Sequence, residues 1–292
     1  MNKCFICNSN NVENLKSSVS DFLKMRMYEG KNVPTNVIHC NDCDFTYYTL
    51  RPNEEEIKRL YNNYRNSTYQ KERQCFESWY TPIINEMIGN GTVEIESRRK
   101  NSEEIFAKYI NIDMISTVLD YGGDRGQHIP PILNGKKRYV YEISGVRTVP
   151  GVYNLTNIAD KQNYFDVVLC CNVLEHVVNP AQILTDISNV MKRKGYLYIE
   201  VPFDNPLFSS KLDSVHFLFN KYFSWKDIIK QFFKMLRVKG FKPMHEHINF
   251  FSQKSLEILL KNNSFDILHN QIYKLNFGWT RPKIISVLAR LK

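Results

Sequence analysis

The hydrophobic positions of this chain follow two different rhythms. From residue 53 onward, Ile57, Leu60, Tyr61 and Tyr64 recur at helical spacing, opposite Lys58 and Arg59. Asn53 with Glu56 three positions later is a capping-box variant, which predicts where this helix starts. The helical pattern resumes over residues 77–110, and Ile88, Gly89, Asn90 and Gly91 predict a break within it. Beyond residue 116 the rhythm changes to short apolar runs at 117–121, 138–143, 165–171 and 196–201, which read as strands. Between the last two lies an amphipathic helix over 180–191, with Ile183, Leu184, Ile187 and Val190 facing inward. Strands alternating with helices predict an α/β fold built on a parallel sheet. KRKG at 192–195 reads as a solvated helix end, and runs at 265–269 and 284–291 predict two antiparallel finishing strands.

These rhythms divide the chain into residues 1–52, a helical linker or cap over 53–115, and an α/β domain over 116–292 with an insertion at about 203–245. A chain of 292 residues exceeds the roughly 150 expected of one domain, so two unequal units are anticipated. A hydrophobic fraction of 43% supplies a sizeable core and excludes a disordered chain. No apolar run approaches the ~18 residues that a membrane span needs, and the start MNKCFICNSN lacks a signal region, so a cytoplasmic protein is expected. In the insertion, Trp225, Ile228, Ile229, Phe232 and Leu236 share one helical face, which reads as a packed lid, with a membrane-surface helix as the second reading.

The cysteines are concentrated at the start of the chain. Cys4 and Cys7, then Cys40 and Cys43, form two CxxC knuckles separated by 32 residues. Two such knuckles complete the tetrahedron that Zn2+ favours, and four thiolates leave no position open, so the expected ion is structural. Cys75, Cys170 and Cys171 read as apolar fillers. With zinc on four thiolates the formal charge of +9 falls to about +7, dispersed along the chain. Such a charge suits a phosphate-bearing small molecule and makes nucleic acid an unlikely partner.

The stretch VLDYGGDRGQ, residues 118–127, runs an apolar strand into a turn containing Gly122, Gly123 and Gly126, where a ligand can approach the backbone closely. Glu142 ends the next strand 22 residues after Asp120, where nucleotide-binding sheets place an acceptor for ribose hydroxyls. FDVVLCCNVLEHVVNP then sets Asn172 and His176 after a buried strand. The DYGG, FDVV and LEHVVNP blocks resemble the class I S-adenosylmethionine-dependent methyltransferases. Together with the CxxC pairs and EHINFF, they resemble the zinc-containing branch that acts on nucleotide-linked sugars or surface-polysaccharide precursors. The resemblance implies a Rossmann-like seven-stranded sheet of order 3-2-1-4-5-7-6 with strand 7 reversed. It implies S-adenosylmethionine bound by Asp120, Gly122, Gly123, Gly126, Glu142, Asn172 and His176. The family pattern is broken at Asp124, which stands where a glycine is usual but tolerates left-handed backbone. The segment 144–155 is too short for a helix plus a strand, so that part of the sheet is expected to be abbreviated.

Transfer of a methyl group from a sulfonium needs an acceptor freed of its proton, and a histidine suits that task near neutral pH. His247, with Glu246 as its partner and Asn249 as an acceptor ligand, is the first candidate base, and His176 the second. Tyr64, Tyr69 and Arg98 are candidates to cover the methionine end of the cofactor. Two other functions fit less of the sequence: an RNA methyltransferase gripping its substrate through the zinc module, and a noncatalytic scaffold, which Asp124 alone favours.

Overall fold

The computed structural model describes residues 3–142, 146–204, 243–278 and 280–292. The proposed insertion helix lies outside them. The chain opens with β1 (Val12–Ser17), α1 (Asp21–Tyr28), β2 (Thr35–Cys40) and β3 (Thr46–Tyr48). The cap follows as α2 (Glu54–Tyr61), α3 (Ser67–Phe76), α4 (Pro82–Met87) and α5 (Thr92–Tyr109). The capping box forms, with the Asn53 side chain accepting from Glu56 N and Glu56 accepting from Asn53 N. The break falls at Gly89, whose φ of +77° ends the helical path between α4 and α5.

The remaining elements are β4 (Thr117–Tyr121), β5 (Lys137–Tyr141), β6 (Val152–Leu155), β7 (Phe165–Cys171), α6 (Pro180–Val190), β8 (Met191–Pro202), β9 (Asn249–Phe250), α7 (Gln253–Asn262), β10 (Phe265–Lys274) and β11 (Lys283–Leu291). Seven of these strands form one sheet of order β10-β11-β8-β7-β4-β5-β6. β4 to β8 run parallel, while β11 is antiparallel to both β8 and β10. This is the 3-2-1-4-5-7-6 order with a reversed strand 7, the Rossmann-like methyltransferase topology. β6 follows β5 with no helix between them among the described residues.

One local reading is corrected. KRKG does not end a helix: α6 stops at Val190, Met191 already pairs with Phe165, and the register jumps to Val167 opposite Tyr196. Residues 192–195 are thus a bulge in β8, with Lys194 left-handed at φ +62° and Lys192 ion-paired to Asp166 at 2.7 Å. No α-helix follows β4 before β5. Pro130 and Pro131 cannot continue one, and only a short 3-10 turn forms, Pro131–Leu133. Phe106 of α5 packs there instead, in one cluster with Ile129, Leu133 and Val140.

The second sheet has the order β1-β2-β3-β9, so residues before 52 pair with residues beyond 245, Tyr47 opposite Asn249. One core crosses that boundary: Cys4, Cys40, Cys43 and Phe45 pack in the same cluster as Leu119, Val168 and Leu256. Ser252, the N-cap of α7, also donates to Cys43 O at 2.8 Å. No helix among the described residues is long and apolar enough to cross a membrane.

Candidate active site

A cleft of about 2380 Å³ lies at the C-terminal ends of the parallel strands, where open α/β sheets bind their ligands. Its first wall is the glycine loop after β4. Gly123 sits directly over Asp120, and a Cβ there would lie 2.0 Å from the carboxylate carbon, so only glycine fits. Asp124 takes φ +53°, the left-handed conformation that its glycine-replacing position requires, and donates its N–H to Glu142 at 3.2 Å. The feature that favoured a decayed scaffold is therefore a loop of functional shape.

Asp120 is completely buried beneath this loop and does not itself line the cleft. Among the described residues neither carboxylate oxygen has a hydrogen-bond partner. Burial, with the charges of Glu142 and Asp124 nearby, pushes its pKa up to about 7. A buried acid in that condition favours a cation above it. S-adenosylmethionine carries a sulfonium and an ammonium, so the donor set fits that cofactor. Gly122, Gly123, Glu142, Asn172 and His176 line the cleft, whereas Gly126 lies under the loop against Val152. Of the residues considered for the methionine end, Tyr64 and Arg98 reach the cleft. Arg98 is held by Glu94 at 3.0 Å and by Glu200.

The opposite end of the cleft is formed by the turn after β7 and the segment before β9. His176 and His247 meet edge to face with ring centroids 4.7 Å apart. His176 Nδ1 lies 3.1 Å from Glu246 O; a carbonyl only accepts, so Nδ1 carries the proton and Nε2 the lone pair. Burial lowers the pKa of both rings, most strongly opposed at His176 by Glu175 and at His247 by Asp204.

Glu246 has a different part from the one its sequence position suggested. Its carboxylate accepts from Tyr69 Oη at 2.5 Å and pairs with Arg73 at 3.1 Å. Burial alone would raise its pKa, but Arg73 and Tyr69 outweigh it and hold the group at about 2. Glu246 is thus an ionised anchor that ties this segment to α3, and its backbone carbonyl orients His176. Asn249, read from sequence as an acceptor ligand, is consumed structurally. Its Nδ2 donates to Leu174 O and Val177 O at 2.8 and 2.7 Å, and its Oδ1 accepts from Arg51 at 2.7 Å.

Sequence reasoning missed Glu175, which is buried on the cleft wall beside His176. Its position directly before the histidine at a strand end was the available signal. It also missed the aromatic wall of Tyr61, Trp79 and Tyr80, which the cap delivers from far along the chain. At the amino terminus, Cys4 Sγ lies 3.6 Å from Cys43 Sγ and Cys7 Sγ 3.5 Å from Cys40 Sγ. A tetrahedral ion with Zn–S bonds of about 2.3 Å sets sulfurs about 3.8 Å apart, so these four residues fit zinc closely. Each knuckle is closed by a left-handed residue, Asn8 or Asp44, whose N–H returns to the first cysteine's carbonyl.

Sheet order, glycine loop and cleft together define the fold of a class I S-adenosylmethionine-dependent methyltransferase. The chain belongs to the methyltransferase-domain family, which matches residues 94–270. It is 33% identical over 98 residues to an uncharacterized protein of Methanocaldococcus jannaschii, a stretch covering 34% of this chain and 40% of that protein. The match thus spans less than half of the relative's length. Among solved structures, the chain is similar to the 1,6-didemethyltoxoflavin N1-methyltransferase of Burkholderia thailandensis, solved with bound 1,6-didemethyltoxoflavin and S-adenosylhomocysteine. The identity is 14%, the TM-score 0.51, and the alignment covers 88% of this chain and 96% of the other, a likeness of fold.

Proposed function

We propose that this chain methylates a small anionic acceptor, a nucleotide-linked sugar or related glycan precursor, and that its four N-terminal cysteines hold a structural zinc. The observation that carries the reading is the continuity of the cleft. One space of about 2380 Å³, well above the roughly 300–1,000 Å³ of a single-ligand pocket, joins the glycine loop to the two histidines. That is room for a cofactor and an acceptor side by side. When bound, S-adenosylmethionine supplies a methyl group activated by its sulfonium.

The chain's own residues do the rest. Asp120 favours the cofactor's positive charge through the loop, and Glu142 accepts from its ribose. The imidazole pair His176 and His247 takes the acceptor proton, with Nε2 of His176 presenting its lone pair. Arg125, Arg281 and Lys283 line the cleft and suit a phosphate-bearing acceptor, while Tyr61 and Trp79 offer faces on which a ring can stack. Glu246 acts on this chemistry as a positioning residue.

Calorimetry with S-adenosylhomocysteine tests the cofactor half of the reading, and absence of heat would sink it. The acceptor half is tested by mass spectrometry after incubation with S-adenosylmethionine and a panel of nucleotide sugars, unphosphorylated sugars and RNA. Methylation of RNA alone would remove the small acceptor.

A further inference from the structure

Glu175 and His176 are neighbours in sequence and His247 lies 71 residues further on, and one donor atom from each lies within 4.8 Å of the others. Glu175 is 2% exposed, and among the described residues neither of its carboxylate oxygens has a hydrogen-bond partner. An ionised carboxylate buried that way costs several kcal/mol unless a cation joins it.

His176 narrows what that cation is. Its Nδ1–H is committed to the Glu246 carbonyl, so the lone pair on Nε2 faces Glu175 Oε1 at 3.9 Å. That is too long for a hydrogen bond, and it sets two electron-rich atoms opposite each other. The His247 ring closes the third side. Two imidazoles and one carboxylate are a donor set that divalent transition metals favour. A backbone carbonyl on the far ring nitrogen is also the usual support of a metal-bound histidine.

We propose that Glu175, His176 and His247 form a site for a divalent transition-metal ion, separate from the four cysteines and opening on the cleft. Bonds of about 2.1 Å set neighbouring donors about 3.0–3.4 Å apart, so the side chains close on the ion by about 1 Å. All three donors line one wall, and the remaining coordination positions face the acceptor space. The consequence for catalysis, unlike the site, rests on the methyl-transfer reading: an ion here occupies the lone pair assigned above to the acceptor proton. Metal and base function exclude each other at His176, so the base role assigned above is that of the chain without an ion at this site.

The test titrates cobalt(II) into the full chain with its cysteine site filled by zinc, followed by visible absorption and metal analysis. One further equivalent is expected, with d–d bands and no sulfur-to-cobalt charge transfer, since no thiolate belongs to the set. Glu175→Gln and His247→Ala should each lose that equivalent while the cysteine-bound zinc stays. No further equivalent in the wild-type chain, cobalt entering only with a charge-transfer band, or an extra equivalent that survives both substitutions would overturn the site. The wild-type titration decides even where a variant fails to fold. S-adenosylhomocysteine binding is measured in parallel, so a chain that binds cobalt but no cofactor keeps the metal site and loses the methyl-transfer reading.

Discussion

Replacing Asn249 by alanine tests whether the amino-terminal sheet and the active-site turn are one mechanical unit. The side chain is 1% exposed and makes three hydrogen bonds, two to the carbonyls of Leu174 and Val177 and one from the Arg51 guanidinium. Each neutral bond contributes about 1 kcal/mol net and the charged one about 1.5–3, so alanine should destabilise the protein by about 4 kcal/mol. Arg51 adds to the effect, because among the described residues one of its nitrogens is already buried without a hydrogen-bond partner, and it would lose another contact. For a chain of 292 residues that loss lowers the thermal midpoint by about 7 °C, which circular dichroism resolves. Asn249→Asp separates the contributions. It keeps an acceptor for Arg51 but sets a carboxylate against two carbonyl oxygens, so it should be no better than alanine. Affinity for S-adenosylhomocysteine should fall in both variants, since the turn carrying His176 loses its tie. An alanine variant within about 1 kcal/mol of wild type would refute the reasoning.

Asp120→Asn should stabilise the cofactor-free protein at pH 8. The folded carboxyl holds its proton up to about 7 against 3.8 ordinarily, so wild-type stability falls as pH rises between those values, by at most about 4 kcal/mol. Thermal melts across pH should show this, with weaker cofactor binding by calorimetry; an asparagine variant no more stable at pH 8 would count against it. Because burial lowers the pKa of His176 and His247, the acid limb of kcat/KM should lie below pH 6.5, and a limb at or above that value would exclude them as the base. Cys43→Ser should lower the zinc content by one equivalent and the thermal midpoint by about 10 °C or more. A zinc-poor variant melting with the wild type would show that the ion has no structural part.

The parts of this molecule legible in its sequence were those fixed by local rules. The glycine loop announces itself because only glycine can sit over Asp120, and Glu142 follows from the length of one strand-to-strand unit. The parts that were not legible are decided by distant partners. β9 is a two-residue strand that exists only because β3 offers it an edge. KRKG carries the basic residues and glycine of a helix end, yet pairing with β7 makes it a bulge. Asn249 and Glu246 sit in a polar, histidine-rich segment and read as reactive, but from the amino-terminal third Arg51 engages Asn249 Oδ1, and Tyr69 and Arg73 engage Glu246 Oε1. Glu175 looked ordinary because nothing local reveals a buried carboxylate that has no hydrogen-bond partner among the described residues.

The pairing of β9 with β3 also orders events during synthesis. A ribosome has made some 200 further residues before Asn249 and Phe250 can cover the edge left by Thr46–Tyr48. Until then the amino-terminal sheet presents an open strand rich in tyrosine, a surface prone to pairing with other chains. Zinc can gather the cysteine knuckles early, but the sheet they anchor is completed only after Phe250 has been made. A truncated amino-terminal fragment should accordingly bind metal and still aggregate, because what it lacks is a strand supplied by the far side of the catalytic fold.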